Sequence, residues 1–162
     1  MPIATGEQLP NATLQRKGDA GTEQVDLYSI VSGKRVAIFG LPGAFTGTCS
    51  TAHVPSFMRN MDALRAKGID EVICISVNDA DVMRAWGKAT GATESGILML
   101  ADPLSEFTKA IGMAFSAPAV GYIDRCARFT MFVDDGVVKV FNPEPTRGQC
   151  TLSSAETLLE QI

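Results

Sequence analysis

The sequence predicts an α/β fold, with a central mixed sheet flanked by helices. Short, almost continuous apolar runs alternate with longer segments in which apolar residues recur at helical spacing, a pattern typical of a sheet covered by helices. Towards the C-terminus, two apolar segments flank Asp134-Asp135-Gly136, a turn sequence that favours an antiparallel hairpin. The central strands are therefore expected to be parallel or mixed, with the hairpin added at one side.

The first half of the chain predicts two buried strands, each followed by a helix. The run RVAIFGL (35–41) is apolar almost throughout and ends at a turn sequence, as a buried strand does. Apolar residues then fall at helical spacing, which predicts one helix over 49–68. EVICISV (71–77) is a second buried strand, and either Asn78 or Asp79 can cap the helix that follows it.

The second half predicts one more central strand and two helices besides the hairpin. GILMLA (96–101) is the strand, and Asp102-Pro103 after it predicts an N-cap and the first residue of a helix that reaches about Gly112. Ser153-Ser154-Ala155-Glu156 has the pattern of a capping box that opens a short final helix. This order fits a thioredoxin-like fold. Since no repeat or linker interrupts the chain, we expect one domain over residues 1–162.

Composition excludes several classes of function. The chain has 162 residues, a net charge of -4 and no block of Lys or Arg, so a nucleic-acid or anionic-membrane role has no electrostatic support. No apolar stretch reaches the roughly 18 residues that a spanning helix needs. The first residues, MPIATGEQLPN, lack the basic and apolar regions of a secretory signal. We therefore expect a cytoplasmic protein, with an organelle form whose transit peptide has been removed as the alternative.

The four cysteines favour a reducing compartment. They stand at positions 49, 74, 126 and 150, form no C-x-x-C pair, and are accompanied by a single histidine. A Cys/His zinc site is thus poorly supported, and so is a disulfide-dense scaffold. We expect neither a metal nor an organic cofactor.

One cysteine stands where an apolar run gives way to a helical pattern. Cys49 would lie at the carboxyl end of a strand and in the first turn of the next helix, where free N–H groups and the helix dipole favour a thiolate over a thiol. Thr46 offers a hydroxyl to a thiolate or a bound oxygen. Gly43 and Gly47 would let the backbone turn tightly beside a ligand. These parts suit a sulfur nucleophile next to a small polar substrate.

Less specific interpretations stay open on these residues alone. Cys49 can be a small buried residue, and Thr46 an ordinary turn residue. His53, one helical turn beyond Cys49, allows a Cys–His hydrolase, although it can equally bond to backbone and hold the loop in place. Trp86 lies on an apolar helical stripe and is most simply a core residue.

The motif around Cys49 resembles that of a known family. Pro42-x-x-x-Thr46-x-x-Cys49 matches the P-x-x-x-[TS]-x-x-C active-site loop of peroxiredoxins. The longer string PGAFTGTCSTAHVPSF closely resembles the type II, or atypical two-cysteine, subfamily. The similarity continues through nearly the whole chain, including VNDADVMRAWGKATGA, LADPLSEFTKAIGM and RFTMFVDDGVVKVFN.

The resemblance implies a role for each residue that matches the motif. Cys49 corresponds to the peroxidatic cysteine, Thr46 to the hydroxyl that holds the peroxide oxygen, and Pro42 to the residue that shields the site from water. Arg128 corresponds to the active-site arginine, with Arg125 as the second choice.

The resemblance also implies a reaction and partners. The protein would be a thiol-dependent peroxidase that reduces hydrogen peroxide or alkyl hydroperoxides through a sulfenic acid, with electrons from thioredoxin or from glutaredoxin and glutathione. A homodimer is also implied. Phe45 is a candidate contact residue in it, and the alternative is that Phe45 lies in the core.

Gly47 stands where the family usually has proline, which makes the loop less stiff. The rival hypothesis is a non-enzymatic redox-sensing or interaction module on the same fold.

Three cysteines are available to recycle Cys49. The spacing between Cys49 and Cys74 matches the resolving pair of plant-type members, so the resemblance favours Cys74, although it stands in a buried strand. Cys150 lies in a region where some members keep a resolving cysteine, and Cys126 has no counterpart role. Pro55 should kink the helix after Cys49 and let its first turn unwind. A one-cysteine cycle, in which glutathione or a redoxin attacks the sulfenic acid directly, is the alternative.

Overall fold

The computed structural model describes residues 1–162 and contains a seven-stranded sheet in the order β2-β1-β5-β4-β3-β8-β9, with a separate two-stranded sheet of β6 and β7. The strands are β1 (Thr13–Gly18), β2 (Gly21–Asp26), β3 (Arg35–Leu41), β4 (Glu71–Ser76), β5 (Leu98–Ala101), β6 (Ala114–Ala117), β7 (Tyr122–Cys126), β8 (Phe129–Asp134) and β9 (Val137–Pro143). The α-helices are α1 (Leu27–Val31), α2 (Val54–Arg59), α3 (Met61–Ala66), α4 (Ala80–Thr90), α5 (Glu106–Ala110) and α6 (Ala155–Leu159). No helix is both long and apolar enough to cross a membrane.

The sheet is mixed, as the sequence predicts. β3, β4 and β5 are parallel, whereas β8 is antiparallel to β3 and β9 is antiparallel to β8. The turn between β8 and β9 has positive φ at Asp135 (47°) and Gly136 (80°), the conformation of a type I′ hairpin turn. The antiparallel hairpin is therefore added at one side of the parallel strands. The β1–β2 hairpin was not predicted, because its strands carry mostly polar, exposed residues.

Alternate residues of each central strand enter two separate hydrophobic cores on opposite faces of the sheet. On β3, for example, Phe39 packs with α2, α4 and α6, whereas Ile38 packs with α1 and α5. Cys49 and Cys74 belong to the first core and Cys126 to the second. Cys126 is the last residue of β7, and its side chain lies in the second core.

The helix predicted over 49–68 is interrupted twice. Its first turn is a π-helix over Cys49–His53, in which the Val54 N–H bonds to the Cys49 carbonyl. Pro55 is the second residue of α2 and has no N–H to donate to the previous turn, so it favours a local departure from regular α-helix. The second break is at Asn60, which leaves helical geometry (φ -111°, ψ 10°) and separates α2 from α3.

Two predicted helix starts are displaced. α5 begins at Glu106 rather than at Pro103, because Ser105 takes a left-handed conformation. Asp102 still caps the helix, but through its side chain, which accepts from the N–H groups of Phe107 and Thr108. At the last helix, Ser154 is the N-cap, and its hydroxyl accepts from the Thr157 N–H.

The capping box predicted there does not close, because Glu156 bonds to Arg59 on α2 instead. The N-cap of α4 is Asp79, one of the two predicted residues.

Candidate active site

Cys49 lies at the carboxyl end of β3, within the first turn of the helix that follows. Its side chain is buried, with 1% of its surface exposed. The Ser50 N–H bonds to the Thr46 carbonyl (3.1 Å), so the amides of residues 47–49 are at the open end of the helix. Trp86 is a core residue, as predicted, and its indole N–H also donates to the Ser50 hydroxyl (3.0 Å). This places the cysteine sulfur at a helix N-terminus, beside groups that favour an anion.

Arg128 contacts the sulfur directly. Its Nη2 donates to Cys49 Sγ (3.3 Å) and its Nη1 donates to His53 Nδ1 (3.0 Å). The side chain is 2% exposed, and its Nε has no partner within the protein. Arg125, the other candidate, has no hydrogen bond to the sulfur, and its Nη1 donates to the Pro42 carbonyl (3.0 Å) instead. The guanidinium beside the thiol is therefore that of Arg128.

His53 is held as a neutral ring. Burial lowers its pKa well below the ordinary value, and the Arg128 charge lowers it further, against the opposing effect of the Ser153 carbonyl. Because Arg128 can only donate, Nδ1 is the acceptor, and Nε2 carries the proton toward Ser153 O (3.0 Å) and Thr130 Oγ1 (3.2 Å). Both ring nitrogens thus form hydrogen bonds with groups other than Cys49. This geometry favours the interpretation in which His53 holds the loop over the Cys–His hydrolase.

The loop between β3 and the helix opens on a small cavity of about 210 Å³. Its lining residues are Pro42, Thr46, Gly47, Thr48, Tyr122, Arg128, Arg147 and Gly148. The cavity thus brings together Pro42, Thr46 and Arg128, to which the sequence analysis assigned roles, with Arg147 and Gly148 from the C-terminal part of the chain.

Thr46 Oγ1 donates to the Gly43 carbonyl (2.7 Å), which turns the hydroxyl oxygen into an available acceptor at this cavity. A Cβ at Gly43 would lie 2.5 Å from Arg125 Nη1, so a side chain there would displace the Arg125 guanidinium. Gly47 differs: its φ is not in the left-handed region, and a Cβ there would meet nothing within 4 Å. The turn therefore does not depend on a glycine at position 47.

Glu144 organises the site, although the sequence analysis did not find it. Its carboxylate accepts from the N–H groups of Thr151 (3.0 Å) and Ser153 (2.9 Å) and from the Ser153 hydroxyl (2.7 Å). Its own N–H donates to the Arg128 carbonyl (2.8 Å). Because Ser153 in turn accepts from His53, Glu144 connects the β9–α6 loop to the residues around Cys49. Its signal in the sequence is weak: one acidic residue between two prolines.

We expect Glu144→Gln to destabilise the protein by about 2 kcal/mol at pH 7, because an amide cannot accept all of these bonds. Burial acts to raise the pKa of Glu144, but hydrogen bonds from Ser153, Thr151 and Leu152 outweigh it and the pKa is lowered. A lowered carboxyl pKa contributes stability that is complete above the unfolded value, about 4.3, and is lost as pH falls through the folded value.

Urea unfolding of both proteins at several pH values measures this contribution. The stability difference should be constant from pH 7 to about pH 5 and shrink below about pH 4. Glu160→Gln, on the exposed surface, is the control and should show no such difference. A difference for Glu144→Gln that persists unchanged to pH 2 would contradict the assignment.

The other three thiols are held protonated by their surroundings. Burial raises the pKa of Cys74 well above its ordinary value, and the neighbouring Cys49 adds to the shift. Burial raises the pKa of Cys126 to about 12. Cys150, half-buried in the β9–α6 loop, also has a raised pKa because of burial. All four cysteines are free, and Cys49 is the one with a guanidinium donor on its sulfur.

Comparison with known proteins identifies the family of the chain. The chain matches the Redoxin family profile over residues 4–159. It is similar to Peroxiredoxin-2C of Arabidopsis thaliana, with 41% identity over 162 residues that cover 99% of each chain. It is also similar to Peroxiredoxin-2C of Oryza sativa subsp. japonica, with 40% identity and the same coverage.

Solved structures give the same result. The structure of reduced Prx3 from Vibrio vulnificus in complex with hydrogen peroxide matches with a TM-score of 0.91 at 43% identity, and covers 98% of each chain. Peroxiredoxin 5 from Alvinella pompejana matches with a TM-score of 0.84 at 26% identity, and covers 99% of this chain. Since the family profile and full-length relatives both span the chain, it belongs to the redoxin family and is a type II peroxiredoxin, a thiol-dependent peroxidase.

Proposed function

We propose that Cys49 is the peroxidatic cysteine and that it reduces hydrogen peroxide or an alkyl hydroperoxide. The observation that carries this proposal is the Arg128 Nη2–Cys49 Sγ contact of 3.3 Å at a helix N-terminus. The Arg128 guanidinium and the helix N-terminus are both positive and both face the Cys49 sulfur, and they stabilise the thiolate that acts as nucleophile. The peroxide complex of the Vibrio vulnificus relative supports the choice of substrate.

The reaction is a two-electron transfer at sulfur. The Cys49 thiolate attacks the terminal oxygen of the hydroperoxide, an S–O bond forms, and the O–O bond breaks. The electron pair leaves with the departing hydroxide or alkoxide, which takes a proton from water, and Cys49 becomes a sulfenic acid. Two reductant thiols must then return the enzyme to its starting state. In a one-cysteine cycle the first displaces water and forms a disulfide with Cys49, and the second reduces that disulfide. With an internal disulfide, Cys74 displaces the water, and both reductant thiols are used to reduce the Cys49–Cys74 disulfide.

Each remaining residue of the proposed site has a specific task. The Thr46 oxygen, whose proton points to Gly43, accepts from the hydroperoxide O–H. Arg128 stabilises negative charge as the O–O bond breaks, and its unpartnered Nε is a further donor in the site. Pro42 covers one side of the cavity and keeps water from the sulfur.

We propose thioredoxin or glutaredoxin with glutathione as the reductant, and Cys74 as the resolving cysteine if an internal disulfide forms. Cys74 shares a core with Cys49, which supports the pairing. Because burial holds Cys74 as a protonated thiol, its attack requires the first helical turn to open. The π-helical turn before Pro55 is a suitable place for that opening. The one-cysteine cycle remains the alternative, and Cys150 is the other internal candidate.

Mapping of the thiols after peroxide treatment tests this scheme. We expect one equivalent of hydrogen peroxide to convert Cys49, and no other cysteine, to a trapped sulfenic acid. Without a trapping reagent, a linked Cys49–Cys74 peptide supports Cys74 as the resolving cysteine, and a Cys49–Cys150 peptide contradicts that choice. Full turnover in Cys74→Ser with glutaredoxin and glutathione would establish the one-cysteine cycle. Oxidation that begins at Cys150 would contradict the assignment of Cys49.

We also propose a homodimer packed near the active-site loop. Phe45, adjacent to Thr46, is 59% exposed and has a left-handed backbone (φ 61°), so it is not the core residue considered as its alternative. Sedimentation velocity should show a dimer that Phe45→Ser weakens.

For location we propose the cytoplasm, because four free thiols suit a reducing compartment, although relatives are named chloroplastic and mitochondrial. Cell fractionation measures this directly.

A further inference from the structure

Three guanidinium groups surround the opening of the active-site cavity. Arg128 lies inside it, Arg147 lines its outer part, and Arg125 bonds to Pro42 in its wall. None of the three forms an ion pair with a carboxylate; the ion pairs of the protein involve other cations. The chain as a whole has a net charge of -4, so this entrance is positive on an acidic protein.

The acidic residues nearest in sequence to these arginines are engaged elsewhere. Asp124 pairs with Lys109 (3.1 Å), and the Glu144 carboxylate is saturated by donors from residues 151–153. The positive charge at the entrance is therefore not neutralised by its surroundings. An anion that approaches Cys49 would be attracted by all three guanidinium groups.

Arg147 is exposed but held in position. Its guanidinium lies 5.6 Å from the ring centre of Phe115 and 5.6 Å from that of Tyr122. Stacking of this kind orients a guanidinium without removing its charge or its donors. The next residue, Gly148, accepts a hydrogen bond from the Thr48 hydroxyl (3.0 Å), which joins this loop to the helix that carries Cys49. Arg147 is thus a fixed, unpaired cation at the mouth of the site, beside the aromatic face of Tyr122.

We propose that Arg147 is a specificity-determining residue that selects organic hydroperoxides bearing a carboxylate. This inference rests on the proposed peroxidase role of Cys49. The hydroperoxide end occupies the inner cavity, the carbon skeleton lies along Tyr122, and the carboxylate pairs with the Arg147 guanidinium. A planar guanidinium matches a carboxylate through two parallel hydrogen bonds. Hydrogen peroxide is too small to reach this outer group and gains nothing from it.

A matched pair of substrates isolates this effect. The rate constants for oxidation of Cys49 are measured with the hydroperoxide of a carboxylic acid and with the methyl ester of the same compound. We expect the wild-type protein to prefer the acid by about three- to tenfold at low salt, and the preference to fall as salt is added. In Arg147→Gln the acid-to-ester ratio should fall to about one, whereas Arg147→Lys should keep part of the preference.

The ratio cancels any general effect of a substitution on Cys49. Arg65→Gln, on the exposed side of α3, changes the net charge by the same amount and should leave the ratio as in the wild type. Three outcomes would overturn the proposal in a protein that still reduces hydrogen peroxide. The acid-to-ester ratio of the wild type could be near or below one, the ratio could be unchanged in Arg147→Gln, or it could fall equally in Arg65→Gln. Loss of all peroxide reduction in the wild type would instead reject the proposed function, and this inference with it.

Discussion

Cys49→Ser is expected to abolish peroxide reduction, with a rate at least about 10⁴-fold below that of the wild type. A serine hydroxyl has a much higher pKa than a thiol, so neither the helix N-terminus nor Arg128 can convert it to a useful nucleophile at neutral pH. Sulfur also forms a stable sulfenic acid, which oxygen cannot do. The measurement is loss of hydrogen peroxide in a single turnover, with enzyme in excess.

Matched controls for this variant are present in the chain. Cys150→Ser and Cys74→Ser remove the other thiols considered for the cycle, but a single turnover needs only the first oxidation. Both should therefore react with peroxide at close to the wild-type rate, although either can lose multiple turnover. A Cys49→Ser protein that still reduces peroxide, or a Cys150→Ser protein that does not, would show that the reacting sulfur has been assigned to the wrong residue.

Arg128→Met is expected to lower the rate of peroxide reduction by about 10²- to 10³-fold. The substitution removes the donor that lies 3.3 Å from Cys49 Sγ and the charge that stabilises both the thiolate and the departing oxygen. His53 Nδ1 loses its donor as well, so a stability cost of about 1–3 kcal/mol is expected.

Two further variants separate charge from geometry at this position. Arg128→Lys keeps a positive charge but cannot contact Cys49 and His53 together, so its rate should lie between those of the wild type and Arg128→Met. Arg125→Met removes a guanidinium that contacts Pro42 rather than the sulfur, and we expect less than about a tenfold loss. Unchanged rates in folded Arg128→Met would exclude Arg128 from the reaction.

Local sequence determines the parts of this protein that depend on near neighbours. The buried strands β3, β4 and β5 and the β8–β9 hairpin were predicted because each is a short apolar run bounded by its own turn residues. Strands β1 and β2 escaped prediction because their polar residues give no apolar pattern. At the helix break, the Asn60 side chain donates to Glu156 of the last helix, and before α5 the buried Asp102 carboxylate accepts from the Thr108 N–H. Periodicity reports neither bond.

The same distinction between local sequence and long-range contacts applies to the candidate active site. Pro42, Thr46 and Cys49 lie within one loop, so their spacing alone predicts that they meet. Arg128 meets Cys49 only through strand pairing: β8 runs antiparallel to β3 with Gly40 opposite Phe129, and this register carries Arg128 to the end of β3 where the Cys49 loop begins.

The tertiary structure also decided between Arg128 and Arg125, turned His53 away from the sulfur, and brought in Glu144 and Arg147 from the C-terminal loop. The contacts of His53, Arg125 and Arg128, and the Thr48–Gly148 bond that holds the Arg147 loop, join residues about 75 to 100 positions apart. The sequence by itself therefore predicted the proposed nucleophile and its loop. The charges and hydrogen bonds that act on them were decided by the tertiary structure, because pairing between distant strands depends on the packing of the whole sheet.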